Sequence, residues 1–455
     1  MEQSVQPPVQ GWSGDQPAEA SATDKEVKAA YRKVTLRLVP FLFLCWVVNY
    51  IDRVNLGFAK IPLSRDLALS DAAYGLGVGL FSIGYVLFEV PSNLMLERTG
   101  ARLTMARIMF LWGCITCLMM FIQTSTQFYI ARIALGAAEA GFYPGLLLYL
   151  TYWFPSARRA RITSRFLLAI AVSGMIGGPL AGWILNTFVD VGGLRNWQWL
   201  FLLEGIPAVL LGVFAYFYLD DKPDQAKWLT DTERKIILDN IQADRAFKGK
   251  PVHSGLVAVL RDPRVYVVVL ASLVTPMLGI VMNYWTPTII HRAGVTNILH
   301  LSLLSAIPSV IGAIGMIVIA RHSDHRVERR WHYLFSISIG AVGLVLLPSV
   351  VHSPVLTIGC LSLLAIAYYA GSTMFWTIPP AYFPAASVAA GIALMSSLGQ
   401  AGSLLTPTWL GWLMTNTHSI AIGLYTIAAI ALAGGFIIVL GVPASKLRER
   451  RDESA

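Results

Sequence analysis

Charged side chains are scarce in this 455-residue chain. Asp, Glu, Lys and Arg make up 13% of it, against about 25% in an ordinary soluble domain. Cysteine is also rare, because only four are present and all lie in apolar runs, which excludes a disulfide-stabilised scaffold. The sequence has no HExxH or GxSxG motif and no His/Cys cluster with metal-ligand spacing. We therefore expect a protein that is not an enzyme and holds no metal and no cofactor.

Apolar residues, by contrast, make up 55% of the chain and gather in runs of roughly 20, long enough to cross a bilayer core. The predicted fold class is an all-α membrane protein, with twelve transmembrane helices in two pseudo-symmetric six-helix bundles. The predicted helices cover residues 35–59, 72–95, 102–122, 126–150, 162–186, 197–219, 264–290, 299–320, 332–352, 355–378, 388–415 and 419–442.

The helices divide into an N-terminal bundle, 35–219, and a C-terminal bundle, 264–442. A charged central loop, 220–263, separates them, and residues 1–34 and 443–455 are predicted to be tails. The loops after the second and the eighth helix both contain an acid followed by bases, as expected of two parallel repeats. Two such halves are typical of transporters with a binding site near the bilayer midplane.

Basic residues give the orientation. Most Lys and Arg lie in the two tails, the central loop and the loops that follow even-numbered helices. Because cytoplasmic loops carry an excess of Lys and Arg, both termini are predicted to be cytoplasmic. This asymmetry explains the net charge of +9 without a nucleic-acid partner. The short loops favour a bacterial inner membrane protein, which we expect to be a monomer in the lipid bilayer.

Five segments are distinctive: NYIDRVNLGFAK (49–60), FEVPSNLMLERTGAR (88–102), ARIALGAAEAGFYPGLLLYLTYWFP (131–155), WQWLFLLEGIPA (197–208) and SDHRVERRWH (323–332). Together they make the chain resemble the anion:cation symporter family of the major facilitator superfamily. The resemblance implies proton-driven uptake of organic anions, including sugar acids, tartrate-like acids, and phthalate and other aromatic acids. The sequence departs from many relatives at Ser396 and Gln400, where those relatives have asparagines, and this bears on the choice of substrate.

Six ionisable residues lie deep in predicted membrane helices, where a charge must be paired, face a cavity or titrate. Two of them, Glu89 and Glu204, are expected to be structural, and the other four are Asp52, Arg53, Arg132 and Glu139. Helix geometry predicts that Asp52 approaches Arg132, while Arg53 and Glu139 face the central cavity. Arg53 is the predicted ligand for a substrate carboxylate, because a guanidinium binds carboxylates through two parallel hydrogen bonds. Glu139 is the first candidate for proton coupling and Asp52 the second, with Arg132 in the same set. Structural ion pairs between helices remain the alternative for all four.

Further polar and aromatic residues are predicted to shape the substrate cavity. In the N-terminal half, Tyr85 and Tyr143 are the candidates. The candidates in the C-terminal half are Asn283, Tyr284, Trp376, Ser396 and Gln400. Helix 5 reads FLLAIAV at 166–172 and offers no partner for sugar hydroxyls, so an aromatic acid is favoured over tartrate or a sugar acid.

The loops after the second, fourth and eighth helices are predicted to form a cytoplasmic gate, and mere topology signals are the alternative. The gate candidates are Glu97, Arg98, Arg102, Arg158 and Asp324. The predicted function is a proton-coupled symporter that imports a small organic carboxylate by alternating access, with the proton gradient as its driving force. An exchanger or uniporter without proton coupling remains an alternative, as does a solute sensor that does not transport.

Overall fold

The computed structural model describes residues 23–248, 262–383 and 388–444, and in these ranges it is built from helices. The N-terminal half contains α1 (Asp24–Asp66), α2 (Asp71–Thr99), α3 (Ala101–Leu118), α4 (Ser125–Glu139), α5 (Phe142–Trp153), α6 (Ser156–Thr187) and α7 (Asn196–Tyr218). After α8 (Asp231–Lys248) come α9 (Pro263–Arg292), α10 (Ile298–Arg326), α11 (Arg330–Val350), α12 (Pro354–Tyr382), α13 (Val388–Thr417) and α14 (Ala421–Gly441).

The predicted fold class is confirmed. Eleven segments of the described chain are long and apolar enough to cross a membrane, with α4 and α5 together counted as one. The segment α13 adds a further helix of 30 residues. Residues 1–22 and 445–455 of the predicted tails and residues 249–261 of the central loop lie outside the described residues.

The first helix begins at Asp24 rather than near residue 35, and a capping box explains the difference. The backbone N–H of Thr23 donates to Glu26 Oε2 at 2.8 Å, and the Glu26 N–H donates to Thr23 Oγ1 at 3.4 Å. This reciprocal arrangement satisfies two N–H groups that a helix start otherwise leaves free. The first turns also bury Ala30 and Val34, which are completely inaccessible to solvent, so this part of the predicted tail is a packed helix.

The predicted single helix over 126–150 is broken after Glu139. Gly141 has φ +84°, in the left-handed region, and it separates α4 from α5. A Cβ atom at this position would lie 2.6 Å from Ser92 Oγ, so α2 leaves room only for glycine. Pro144 lacks the N–H that would continue the α4 hydrogen-bond ladder to Ala140. The break places Glu139 at the C-terminal end of a short helix.

The loops with many bases, α8 and the start of α1 define one end of the molecule, which we call the basic end. The two halves approach each other closely from the middle of the bundle to the other, opposite end. A Cβ on Gly57 of α1 would overlap the carbonyl oxygen of Asn283 in α9, and one on Gly178 of α6 would lie 2.9 Å from the carbonyl oxygen of Ser302 in α10. The carbonyl of Asn283 lies in a π-helical turn, and Pro287 has no N–H to offer it.

Polar contacts close the opposite end. Asp71, at the start of α2, forms ion pairs with Lys60 Nζ at 2.8 Å and with Arg292 Nη2, at the end of α9, at 3.9 Å. The N–H of Ala72 donates to Thr415 Oγ1 of α13 at 2.8 Å. These contacts join the N-terminal to the C-terminal half, so the conformation is closed at the opposite end.

Candidate functional site

Arg53 and Glu139 form an ion pair between α1 and α4. Arg53 Nε donates to Glu139 Oε1 at 2.9 Å, and the Asn49 side-chain amide donates to the same oxygen. Glu139 is completely buried, whereas the Arg53 side chain is 22% exposed. The two terminal nitrogens of Arg53 make no hydrogen bond within the described residues. The ion pair uses only one nitrogen of Arg53, so the terminal nitrogens can still bind a second carboxylate.

Aromatic rings surround the Arg53 guanidinium. Its Cζ lies 5.6 Å from the ring centroid of Tyr50, 5.3 Å from that of Phe81 and 5.6 Å from that of Tyr85. A cation over aromatic faces is attracted by the ring quadrupoles. The rings also exclude water, which strengthens any ion pair formed there. Of the predicted substrate ligands, the structure thus brings Arg53 and Tyr85 together.

The local structure makes the ionised form of Glu139 depend on Arg53. Glu139 is the last residue of α4, where the helix dipole places partial negative charge and disfavours an anion. Its second oxygen, Oε2, has no hydrogen-bond partner among the described residues. An uncompensated buried carboxylate is costly, so the Arg53 contact offsets the burial of the Glu139 charge. Glu139 does not face the cavity directly, in contrast to the sequence-based expectation.

Arg132 and Asp52 do not form the predicted ion pair. Arg132 is 2% exposed, and its Nε donates to the Gly77 carbonyl oxygen at 3.4 Å. Its guanidinium lies 4.9 Å from the ring centroid of Phe81. Asp52 is 4% exposed and accepts from Asn55 Nδ2 at 3.5 Å. The two charges interact only at longer range, because Asp52 lies on the α1 face that packs towards α3 and α7.

A second buried carboxylate lies beside Asp52. Glu204 of α7 is 4% exposed, and neither of its carboxylate oxygens has a hydrogen-bond partner among the described residues. Asn55 of α1 is close to both acids. The neighbouring Gly205 packs tightly on α3, where a Cβ would lie 2.6 Å from Cys117 Sγ. Two buried acids, Asp52 and Glu204, therefore lie where α1, α3 and α7 pack together.

The predicted ligands of the C-terminal half are only partly gathered. Tyr284 is 6% exposed and lies beside Arg132. Asn283 lines a small cavity between the halves, together with Phe58, Ser305 and Ser309. Tyr369 Oη donates to Ser309 Oγ at 3.3 Å, next to this cavity.

Four other predicted ligands make no hydrogen bond, ion pair or cation–π contact with Arg53 among the described residues. Tyr143 stacks on Trp46 with a centroid distance of 4.7 Å. Trp376 is 39% exposed and packs edge-on against Phe375. Ser396 and Gln400 of α13 are half-buried.

The geometry and the comparisons with known proteins agree on a transporter. The sequence model described as Major Facilitator Superfamily matches residues 42–407. The chain belongs to this superfamily. It is 39% identical to the "Putative tartrate transporter" of Agrobacterium vitis over 90% of this chain and 94% of that protein. It is also 39% identical to the "Putative metabolite transport protein NicT" of Pseudomonas putida, covering 92% and 96% of the two chains. These relatives support the anion:cation symporter type that the sequence motifs indicate.

A solved structure of the xylose transporter XylE from E. coli, in a partially occluded inward-open conformation, shares the superfamily fold. Its TM-score is 0.70 at 14% identity, over 90% of this chain and 98% of that one. Superfamily members transport small solutes and are not enzymes, which confirms that expectation. Because the identity is low, this likeness bears on the fold alone.

Three of the predicted gate residues, Arg102, Arg158 and Asp324, contact their own half of this transporter in the present conformation. The Arg102 guanidinium lies over Tyr216 at 4.9 Å, and that of Arg158 lies over Tyr31 at 4.2 Å. Asp324 Oδ1 accepts from Arg329 Nη2 at 2.5 Å. Arg98 is exposed at the end of α2, and the Glu97 side chain lies outside the described residues.

Sequence reasoning missed two kinds of residue. Asn49 and Phe81 have no charge to mark them, yet they contact Glu139 and Arg53 directly. Asp221, at the start of the central segment, accepts from the Arg102 N–H at 2.8 Å and so caps α3. An acid pair directly after a predicted membrane helix was the available signal for Asp221. The available signal for Asn49 was its position one helical turn before Arg53.

Proposed function

We propose that this transporter is a proton-coupled symporter that imports a small organic carboxylate, with an aromatic acid favoured. The observation that carries the proposal is the buried Glu139 held by one nitrogen of an otherwise available Arg53. A substrate carboxylate binds the terminal nitrogens of Arg53 through two parallel hydrogen bonds. The three rings around Arg53 favour an aromatic or otherwise partly apolar substrate, because their faces offer apolar contact next to the guanidinium.

Competition for Arg53 supplies the coupling. An ionised Glu139 and a substrate anion both require the Arg53 charge, and two anions on one guanidinium repel each other. Protonation of Glu139 removes this repulsion and releases Arg53 to the substrate. Asp52 is the second candidate for the proton, and Arg132 belongs to the same set because its charge acts on Asp52 at longer range.

Alternating access then needs a conformation that opens the opposite end and closes the basic end. We propose that the basic end faces the cytoplasm, with both termini there, in a bacterial inner membrane. The present conformation would be open to the cytoplasm, and the Asp71 contacts would form the outer gate. In the outward-facing conformation, Glu97, Arg98, Arg102, Arg158 and Asp324 would close the inner gate. A monomer suffices for this cycle.

The experiment is uptake by the purified chain in proteoliposomes with and without an imposed pH gradient. A panel of labelled benzoate-like, phthalate-like, tartrate-like and sugar acids identifies the substrate class. Accumulation of one acid only under the gradient supports symport. Equal flux with and without the gradient would indicate exchange or uniport instead, and binding without flux would indicate a sensor.

A further inference from the structure

A shallow depression lies at the basic end of α1, far from Arg53. We call it the basic depression, and Lys28, Tyr31, Arg32, Thr35, Leu36 and Arg158 line it. Three of these residues, Lys28, Arg32 and Leu36, follow one another at four-residue spacing, so they lie on one face of the helix. All three are exposed, and Leu36 is 62% exposed. Arg158, from the first turn of α6, completes the rim.

The exposed face of α1 changes its chemistry within one helical turn. Lys28 and Arg32 are basic, whereas the next exposed positions are Leu36, Pro40 and Leu44. One turn rises about 5.4 Å, which is the scale on which lipid headgroups give way to acyl chains. The depression therefore lies where a basic surface meets the apolar surface that faces lipid.

The basic residues at this rim make few ion pairs among the described residues. Arg32 makes no ion pair within the described residues, and Arg158 contacts the Tyr31 ring through its guanidinium face at 4.2 Å. Lys28 lies 3.4 Å from Asp24, but both side chains are highly exposed, so this pair is weak. Two guanidinium groups can bind phosphate oxygens through paired hydrogen bonds.

Tyr31 gives an independent indication of a ligand. It is 2% exposed, and its hydroxyl has no hydrogen-bond partner among the described residues. A buried hydroxyl without a partner costs about 1–3 kcal/mol, so such groups usually have one. A phosphate oxygen in the depression would accept from this hydroxyl as well as from the arginines.

We propose that the basic depression binds the phosphate headgroup of an anionic phospholipid, with an acyl chain along Leu36 and Leu44. A free phosphate would pair with the cations, but it has no apolar part that could contact the exposed residues Leu36, Pro40 and Leu44 next to them. Cytoplasmic leaflets carry anionic lipid, and basic pockets beside membrane helices bind their headgroups. The leaflet follows from the proposed orientation, while binding itself needs no transport and is tested separately from it.

The test measures lipid retention by the purified full chain in neutral detergent. Phosphatidylglycerol and phosphatidylcholine with the same acyl chains are titrated in parallel, and bound lipid is counted by native mass spectrometry. The variants are the double change Lys28→Gln with Arg32→Gln, and the single change Tyr31→Phe. The matched control is Arg321→Gln with Arg326→Gln, which removes two exposed bases from α10 outside the depression.

We expect several-fold higher retention of phosphatidylglycerol than of phosphatidylcholine by the unmodified chain and the control. The double variant should lose this preference, and Tyr31→Phe should weaken it without affecting the charge. An undiminished preference in both variants would overturn the site. The same measurements are repeated with inorganic phosphate. If phosphate displaces the lipid, or raises the apparent Tm as much as phosphatidylglycerol does, the depression binds soluble phosphate and the lipid assignment is wrong.

Discussion

The guanidinium groups of Arg53 and Arg132 lie against the same ring, that of Phe81, at 5.3 and 4.9 Å from its centroid. Of the two, only Arg53 contacts a carboxylate within the described part of the chain. The ring quadrupole attracts both positive charges in this poorly solvated site. Arg53 is thus the partly exposed member of a charged pair, and Arg132 the buried one. This asymmetry underlies the different roles that we propose for them.

Replacement of Arg53 by lysine tests its role as the carboxylate ligand. Lysine keeps the charge but loses the planar fork, so substrate affinity should fall while the chain still folds. Loss of one charge-assisted hydrogen bond, worth about 1.5–3 kcal/mol, predicts a KM increased about 10- to 100-fold. The measurement is counterflow of the preferred acid. Arg65→Lys, at an exposed pair with Asp66, is the matched control and should leave the KM unchanged.

The break after Glu139 makes a prediction about stability. Gly141→Ala adds a Cβ at a left-handed position and pushes it against Ser92. Gly193→Ala has nearly the same φ, +75°, but nothing within 4 Å of the new Cβ. A Cβ at a positive φ costs about 1–2 kcal/mol in both variants. Only Gly141→Ala also brings its Cβ too close to Ser92. The apparent Tm should therefore fall further for Gly141→Ala, and equal losses would contradict the proposed contact.

Closure of the opposite end depends on Gly57. In Gly57→Ala the new Cβ would overlap the Asn283 carbonyl oxygen, so conformations open at that end should gain population. Overpacking costs about 1–3 kcal/mol, which predicts roughly tenfold faster labelling of a cysteine at Val54 from the opposite side. Gly177→Ala is the control, because its new Cβ would have ordinary contacts at 3.7 Å. Equal labelling in the two variants would exclude a role for this contact in closure.

The docking of α8 onto α1 should depend on pH. Lys33 Nζ donates to Glu233 Oε2 at 2.7 Å. Partial burial would raise the pKa of Glu233, but hydrogen bonds from Lys33 and Thr230 outweigh it and hold this pKa below its ordinary value. The stabilisation is therefore present at neutral pH and is lost as the pH falls through the lowered pKa.

Hydrogen exchange in α8 measures this effect. Glu233→Gln should exchange faster than the unmodified chain at pH 7, by an amount that corresponds to less than about 1 kcal/mol. The difference should disappear in acid, where Glu233 is protonated in both proteins. Asp231→Asn, which removes an exposed local pair with Arg234, should not alter the contact with α1. A difference for Glu233→Gln that persists in acid would exclude the ion pair as its cause.

Hydrophobic run length and the distribution of bases were enough to predict the helices and the fold class, because a bilayer constrains both directly. Helix ends were harder to predict, since the capping box at Thr23 and the tight contact at Gly141 depend on a few atoms. The buried charges Asp52, Arg53, Arg132 and Glu139 stood out because each is costly in a membrane.

Their pairing could not be derived from helical depth alone. Depth places Asp52 and Arg132 at a similar level, but the rotation of α1 about its axis decides which face each residue occupies. That rotation turns Arg53 and Asn49 towards Glu139, and Asp52 towards Glu204. Uncharged contacts such as Phe81 give no signal in a sequence rich in aromatic residues.

The central claim is that a proton on Glu139 frees Arg53 for the substrate anion. The most direct test compares Glu139→Gln with the unmodified chain in proteoliposomes, for both counterflow and accumulation driven by a pH gradient. Glu89→Gln, at a half-buried acid on α2 outside the pair, is the matched control, and Asp52→Asn tests the second candidate. We predict that Glu139→Gln retains counterflow and loses gradient-driven accumulation, while Glu89→Gln keeps both. Accumulation by Glu139→Gln against the substrate gradient would contradict the account.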